Sequence, residues 1–320
     1  MKKLLLALPF MLAFVVLSYG MALADNGPHG GFAPATDACA GCHRAHTAPQ
    51  AKLLLSSSTA LCQTCHSSTG TGADTNVTDG VYANRDLTTE APPEGVAGRS
   101  LKGGGFANAL MDTDDGTNTS APASRPATSA HTFDGSNGTA WGNGANGSGA
   151  GGTIALSCGN CHNPHGKAGT GGTATYRILR PVPNGSGAAA SVNVADEATK
   201  NYTIANAAAD YWAEPYAAVE TPLTNWCSQC HTRHLAPAGS AGTNSGDSIF
   251  AYRHTSNAGG NSQGVSCTDC HVAHGTAAVM GANSGAVAWP GGATAPSGNT
   301  RSSLLRLDNR GTCYKCHPNP

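Results

Sequence analysis

The sequence has little of the material from which protein cores are built. Leu, Ile, Val and Phe together supply 44 of the 320 residues, about 14%, and 11 of those 44 lie in the first 24 residues. Charge is also scarce, because 18 Lys and Arg against 19 Asp and Glu give a formal net charge of −1. The shortage of aliphatic residues excludes an ordinary aliphatic core. The near-zero net charge argues against a disordered chain, because disordered chains usually carry a high net charge.

Long apolar runs are absent beyond the N-terminus. Residues 1–24 contain two lysines, an apolar run over residues 4–17 that Pro9 interrupts, and a small-x-small cleavage pattern at residues 22–24. The run is shorter than the roughly 20 residues that a membrane span needs. We therefore predict a secretory signal peptide at 1–24 and a single mature domain at 25–320, without a membrane span, exported through the periplasm to the extracellular space or the outer cell surface.

An excess of basic residues is missing as well. Removing the signal peptide takes away Lys2 and Lys3 and leaves 16 basic against 19 acidic residues, a formal charge of −3. Nucleic-acid-binding domains usually carry a basic surface. We therefore expect no nucleic acid partner.

No cysteine lies outside one recurring pattern, C-x-x-C-H, which is typical of covalent haem c attachment. The spacing suits haem because positions i, i+3 and i+4 share one face of a helical turn, so two thiols and one imidazole can reach the same porphyrin. The sequence predicts six haems c, bound by Cys39, Cys42 and His43; Cys62, Cys65 and His66; Cys158, Cys161 and His162; Cys227, Cys230 and His231; Cys267, Cys270 and His271; and Cys313, Cys316 and His317.

Three other uses of cysteine fit the pattern less well. A disulfide framework does not require a histidine after every second cysteine. A zinc ribbon needs two C-x-x-C halves without that histidine, and a thioredoxin-like redox pair occurs once, in a strand–helix context. The six-fold repeat therefore favours haem attachment.

Histidine is plentiful where methionine is not. After signal cleavage only Met111 and Met280 remain, so methionine could serve as an axial ligand of two haems at most. Bis-histidine ligation throughout is the economical interpretation, and it favours low reduction potentials. Seven histidines are available as second ligands for six irons: His29, His46, His131, His165, His234, His254 and His274.

Four motifs are extended to C-x-x-C-H-x-x-H, which adds His46, His165, His234 and His274. The two histidines of an extended motif project from the same side of a short helical turn, so the second cannot reach the far face of its neighbour's haem. We expect it to bind the iron of another motif, which would bring two haems close together. His131 and His254 are assigned by counting, and His29 is the expected spare, with a ligand role left open.

The segments between motifs are poor in secondary-structure signals. Residues 103–153 are mostly Gly, Ser, Thr, Asn, Asp, Ala and Pro, and are predicted to form turns and loops. A weak strand signal lies at residues 176–179. We predict a coil-rich fold with short α-helices at the motifs and minimal β structure, whose core is a stack of haems that replaces the missing aliphatic side chains.

The order of these motifs resembles that of the OmcS-like six-haem extracellular cytochromes, which polymerise into conductive filaments (nanowires). The resemblance covers the mature chain from Cys39-x-x-Cys42-His43-x-x-His46 to Cys313-x-Lys-Cys316-His317, although this chain is shorter between motifs. It implies a continuous haem stack of alternating slipped-parallel and T-shaped pairs. It also implies identical subunits joined head to tail, with His46 of one subunit bound to the iron held by His271 in the next.

The resemblance favours an electron carrier that passes electrons to redox proteins or extracellular acceptors. The alternative is a soluble periplasmic multihaem carrier with the same ligation and no polymerisation. A multihaem reductase is the third possibility, but it needs an iron with an open position, often marked by Lys in place of the motif histidine. No motif ends in Lys, and the histidines suffice for six irons, so we expect no enzymatic activity.

Overall fold

The computed structural model describes the motif regions and the segments packed on them. Its described residues are 29, 37–70, 73, 75–82, 100–101, 103–110, 113, 124–144, 151–165, 176–180, 182–183, 220–232, 266–280, 302–309 and 311–314. The predicted signal peptide at 1–24 lies outside these ranges, as do the predicted ligands Cys316, His317, His234 and His254.

Short helices carry the cysteines. The first motif lies in a 3₁₀ turn at Asp37–Gly41, and the other motifs begin within or at the end of α-helices. Within the described ranges these helices are α1 (Ser58–His66), α2 (Cys158–Cys161), α3 (Glu220–Cys227), α4 (Cys267–Cys270) and α5 (Gly311–Tyr314).

The third and fifth motifs close their own helical turns. In α2 the side-chain oxygen of Asn160 accepts the backbone N–H of Ser157 at 2.7 Å. In α4 a carboxylate oxygen of Asp269 accepts the backbone N–H of Ser266 at 2.6 Å. Such contacts satisfy N–H groups that a helix N-terminus leaves without intrahelical partners. A single helical turn is thus held in the geometry that places both cysteines on one face.

The strands are short. Within the described residues their bounds are β1 Thr75–Asn76, β2 Val81–Tyr82, β3 Asn108–Leu110, β4 Ser124–Pro126, β5 Ser129–Ala130, β6 Asp134–Trp141, β7 Gly151–Ser157 and β8 Gly275–Thr276. They form four antiparallel two-stranded sheets, which pair β1 with β2, β3 with β4, β5 with β8, and β6 with β7.

Two predictions about secondary structure are wrong. Residues 103–153, predicted as turns and loops, contain β3 to β6 and the start of β7, so the fold has more strand than the minimal β structure expected. The β6–β7 hairpin forms through backbone pairing, with Thr139 opposite Thr153, and needs few apolar side chains. The segment predicted as a strand at residues 176–179 instead begins with a 3₁₀ turn, Tyr176–Ile178, in which Arg177 has a φ of 48°.

Within the described residues, apolar side chains pack in small clusters. Ala109, Val272 and Ala277 form one buried cluster, against which Leu304 packs. Alanines dominate it, in keeping with the shortage of larger aliphatic residues. No helix within the described residues has both the length and the apolarity needed to cross a bilayer.

Buried hydroxyl groups join the fifth motif region to the middle of the chain. The Ser302 hydroxyl, fully buried, lies 2.8 Å from the Thr128 hydroxyl and 2.7 Å from the Ser129 hydroxyl. Thr128 also donates to the carbonyl of Ala278 at 2.5 Å, and Ser129 accepts the N–H of Leu304 at 2.7 Å. Polar contacts of this kind hold together segments separated by more than 170 residues.

We expect Ser302→Ala to lower the free energy of unfolding by about 1–2 kcal/mol, because it removes a buried hydroxyl that two partly buried hydroxyls share as a partner. Chemical denaturation of the haem-loaded protein measures the change. The control is Ser68→Ala, at an exposed position, which should stay within about 0.5 kcal/mol. Equal stability of the two variants would show that the hydroxyl cluster contributes nothing.

Candidate haem-binding sites

Histidine rings face one another in pairs. Each pair joins the histidine of one C-x-x-C-H motif to a histidine from a distant part of the sequence. The ring centres are 5.9–6.3 Å apart in His43 with His165 (5.9 Å), His66 with His29 (6.0 Å), His162 with His274 (6.3 Å) and His231 with His131 (6.2 Å).

This separation fits an ion held between the rings. An imidazole nitrogen binds a transition metal at about 2 Å, so two such bonds in line, plus the distance from each ring centre to its nitrogen, span about 6 Å. Rings in direct contact lie closer, as Phe106 and Phe133 do at 4.1 Å. The paired histidines next to C-x-x-C cysteines therefore fit the axial positions of a covalently attached haem.

Backbone carbonyls fix the orientation of the rings. A carbonyl oxygen can only accept, so a ring whose Nδ1 contacts one carries its proton on Nδ1 and leaves the Nε2 lone pair free for a metal. The Nδ1 donations run from His29 to Pro164 (2.8 Å), His43 to Lys52 (3.0 Å), His66 to Thr75 (3.2 Å), His131 to Ala273 (2.6 Å), His162 to Arg177 (2.8 Å), His231 to Trp141 (2.6 Å) and His271 to Ser303 (2.9 Å).

Burial favours the neutral form of several motif and partner histidines. Desolvation lowers the pKa of His66, His131 and His162 below the ordinary value, and it lowers the pKa of His274 to about 3. Neighbouring histidines add to the lowering in each case. The neutral ring is the form that binds a metal ion.

Two of the four second histidines of the extended motifs face other motifs, as their spacing predicts. His165 of the third motif faces His43 of the first, and His274 of the fifth faces His162 of the third. His46 is exposed, and neither it nor His271 faces another histidine ring within the described ranges.

His29 is not the spare that the sequence suggested. Its ring lies opposite His66 at an interplanar angle of 22°, and its Nδ1 is held by the carbonyl of Pro164. Nothing in its flanking residues distinguishes it from a solvated histidine. The surplus of one histidine over six irons was the only sequence signal, and it could not say which residue is the spare.

The cysteines of successive motifs are neighbours. A hydrogen bond between the thiols raises the pKa of Cys62 and lowers that of Cys158 to about 7, and burial raises the pKa of Cys161 to about 12. Electrostatic influence or hydrogen bonding links Cys42 with Cys65, Cys62 with Cys158, Cys161 with Cys230, and Cys227 with Cys267. Each of the first five motifs is thus linked to the next in sequence order, and we call this ordering the linear series.

Equivalent threonines mark two junctions in this series. Thr59 lies three residues before Cys62, and its hydroxyl is 3.9 Å from the sulfur of Cys158, where α1 packs on α2. Thr224 lies three residues before Cys227, and its hydroxyl accepts the backbone N–H of Cys267 at 3.3 Å, where α3 packs on α4. The second motif therefore meets the third much as the fourth meets the fifth.

We expect His29→Ala and His165→Ala each to leave every haem attached but to open one iron, because each removes one ring of a facing pair. Carbon monoxide difference spectra should report one reactive haem in each variant, two in the double variant and none in the parent protein. Gln50→Ala, an exposed change, is the control. Carbon monoxide binding by the parent protein, or none by either variant, would contradict the pairing.

Comparison with known proteins bears on the N-terminal motifs. Residues 32–71 match the family described as the doubled CXXCH motif. No curated protein and no solved structure matches the chain. The matched segment contains the first two motifs, Cys39–His43 and Cys62–His66, whose thiols Cys42 and Cys65 are neighbours in the structure. The match indicates that the chain is a multihaem c-type cytochrome, an electron carrier with covalently bound haem.

Proposed function

We propose that this cytochrome is exported, carries six haems with two axial histidines each, and polymerises head to tail into an extracellular filament that delivers electrons to external acceptors. One observation carries the proposal. The second histidine of an extended motif faces the C-x-x-C-H histidine of the motif two before it. The third motif thus faces the first, and the fifth faces the third. We call this pattern the histidine relay.

The next step of the histidine relay needs a second subunit. His271 of the fifth motif would take its partner from a seventh motif, and the chain has six. In a head-to-tail array the seventh motif is the first motif of the neighbouring subunit, whose second histidine is His46. Both residues are exposed, and the Ser303 carbonyl already holds Nδ1 of His271. The resemblance to OmcS-like filament cytochromes implies the same pair of residues.

Such a contact joins two different surfaces of the same chain. A heterologous contact that does not close into a ring generates an open-ended fibre. The linear series of motifs supports this arrangement, because the histidine relay runs in one direction along it, from third to first and from fifth to third. Polymerisation would then extend the series from one subunit into the next.

The roles of the protein residues follow from the geometry. Haem supplies a one-electron iron couple, whose potential the protein tunes through axial ligands and their hydrogen bonds. The cysteines would hold each haem covalently, the paired imidazoles would bind its iron, and the backbone carbonyls orient the rings. Pairing of this kind leaves no position for a substrate, which favours a carrier over a reductase. Porphyrins would also supply the apolar core that the aliphatic residues cannot.

Electron microscopy of the secreted fraction tests the proposal, together with an optical spectrum of the same sample. We expect filaments whose haem is low-spin and does not react with carbon monoxide. Discrete particles with that spectrum would instead identify a soluble periplasmic carrier. A high-spin haem that binds carbon monoxide in the parent protein would favour a reductase.

We expect His46→Ala to abolish filaments while leaving all haems attached, because the neighbouring haem loses an axial ligand. Negative-stain microscopy and haem quantification measure the two effects. Arg44→Ala changes another exposed side chain in the same segment and should leave filaments intact. The variant still accepts a neighbour at His271, so adding it to the parent protein should shorten parent filaments. Filaments of normal length from His46→Ala alone would refute the contact.

A further inference from the structure

Three stretches far apart in the sequence share an uncommon backbone conformation. They are residues 51–54, 176–179 and 302–305, which we call the straps. Each contains two successive non-glycine residues with positive φ, a conformation that L-residues seldom adopt. The values are 60° and 59° for Lys52 and Leu53, 48° and 49° for Arg177 and Ile178, and 49° and 62° for Ser303 and Leu304.

Each strap contacts a motif through its first left-handed residue. The carbonyl of that residue accepts Nδ1–H of a motif histidine. Lys52 accepts it from His43, Arg177 from His162 and Ser303 from His271.

Two further hydrogen bonds recur in all three straps. The carbonyl of the second left-handed residue accepts the N–H that follows the motif histidine, from Arg44 to Leu53, from Asn163 to Ile178 and from Val272 to Leu304. The residue after the strap donates to the carbonyl of the motif's second cysteine, from Leu55 to Cys42, from Arg180 to Cys161 and from Arg306 to Cys270. The straps are therefore one structural unit used three times.

The strained conformation is concentrated at these units. Among the described residues, six of the seven non-glycine residues with positive φ lie in the straps. One of them is Ile178, whose branched Cβ makes positive φ especially unfavourable. Strain of this kind persists where surrounding contacts fix the backbone, and it clusters at functional sites.

Chain connectivity does not explain the straps. The hydrogen-bonded strap residue follows its motif histidine by 9, 15 and 32 positions, so no local turn produces the contact. The second and fourth motifs use other acceptors, because His66 donates to Thr75 and His231 donates to Trp141. The straps thus belong to the first, third and fifth motifs, the same motifs that the histidine relay connects.

We propose that the straps are positioning elements that fix the protonated nitrogen and the ring plane of His43, His162 and His271, and so give their three haems a common ligand environment. A hydrogen bond from Nδ1–H to a carbonyl makes the imidazole a stronger electron donor. A stronger donor stabilises oxidised iron and lowers its reduction potential. The proposal rests on haem binding by these histidines and is independent of filament formation.

Paired substitutions at Lys52 test the proposal on the haem-loaded protein. Lys52 is exposed, and only its backbone carbonyl contacts His43. Lys52→Gly accepts a φ of 60° without strain and keeps the carbonyl, whereas Lys52→Pro fixes φ near −65° and displaces it. Potentiometric titration followed by visible absorption, with electron paramagnetic resonance of the oxidised protein, reads out the individual low-spin haems.

We expect Lys52→Pro to shift one haem to a higher potential and to change one low-spin signal, with the number of attached haems unchanged. Lys52→Gly should leave potentials and signals as in the parent protein. Lys52→Val, which disfavours positive φ more mildly, covers the case in which the proline variant does not fold, and should shift the same haem by less. Unchanged potentials in both Lys52→Pro and Lys52→Val, or equal shifts in Lys52→Gly, would overturn the proposal.

Filament images of the same variants separate this proposal from the polymerisation model. All three variants retain His46 and His271, so their filaments should form as in the parent protein. Repeating the pair as Arg177→Pro and Arg177→Gly should move the potential of a different haem, because that strap holds His162. A shift in the same haem as for the Lys52 variants would contradict the assignment of one strap to one motif.

Discussion

The hydrogen bond from an imidazole Nδ1 to a backbone carbonyl is the constraint on which the rest of the structure depends. Each such ring needs a carbonyl within about 3 Å in a fixed direction, and the chain supplies these carbonyls from many local structures. Trp141 offers one at the end of β6, Thr75 at the start of β1, and Ala273 just before β8. The strands and straps have few apolar contacts, yet they are placed where a ring needs an acceptor.

The straps, the facing histidines and the interactions between thiols all follow a pattern that repeats every two motifs. The first, third and fifth motifs each have a strap, and the first and third receive a facing histidine from two motifs later. The second and fourth motifs face His29 and His131. Electrostatic or hydrogen-bonding interactions join the second cysteines of two successive motifs at one junction and the first cysteines at the next. Among the first five motifs, two successive motifs therefore form the repeating unit of the linear series.

The sequence predicted the features that are encoded locally. Helical turns at C-x-x-C-H follow from spacing, and the outward reach of His165 and His274 follows from helical geometry. The strands within residues 103–153 could not be predicted, because Gly, Ser and Thr carry no alternating apolar pattern and the pairing rests on backbone hydrogen bonds. The straps were missed because a positive φ at Leu53 or Ile178 is imposed by contacts with a distant motif, against the preference of the residue. His29 was misjudged since only tertiary contacts place it opposite His66.

The motif histidine and its strap are separated by 9, 15 or 32 residues, so the strap geometry does not depend on the length of the chain between them. The same set of hydrogen bonds closes whichever length of chain lies between, and longer loops cost little additional closure entropy. Insertions, deletions and changes of composition in these segments can therefore accumulate without altering the ligand geometry.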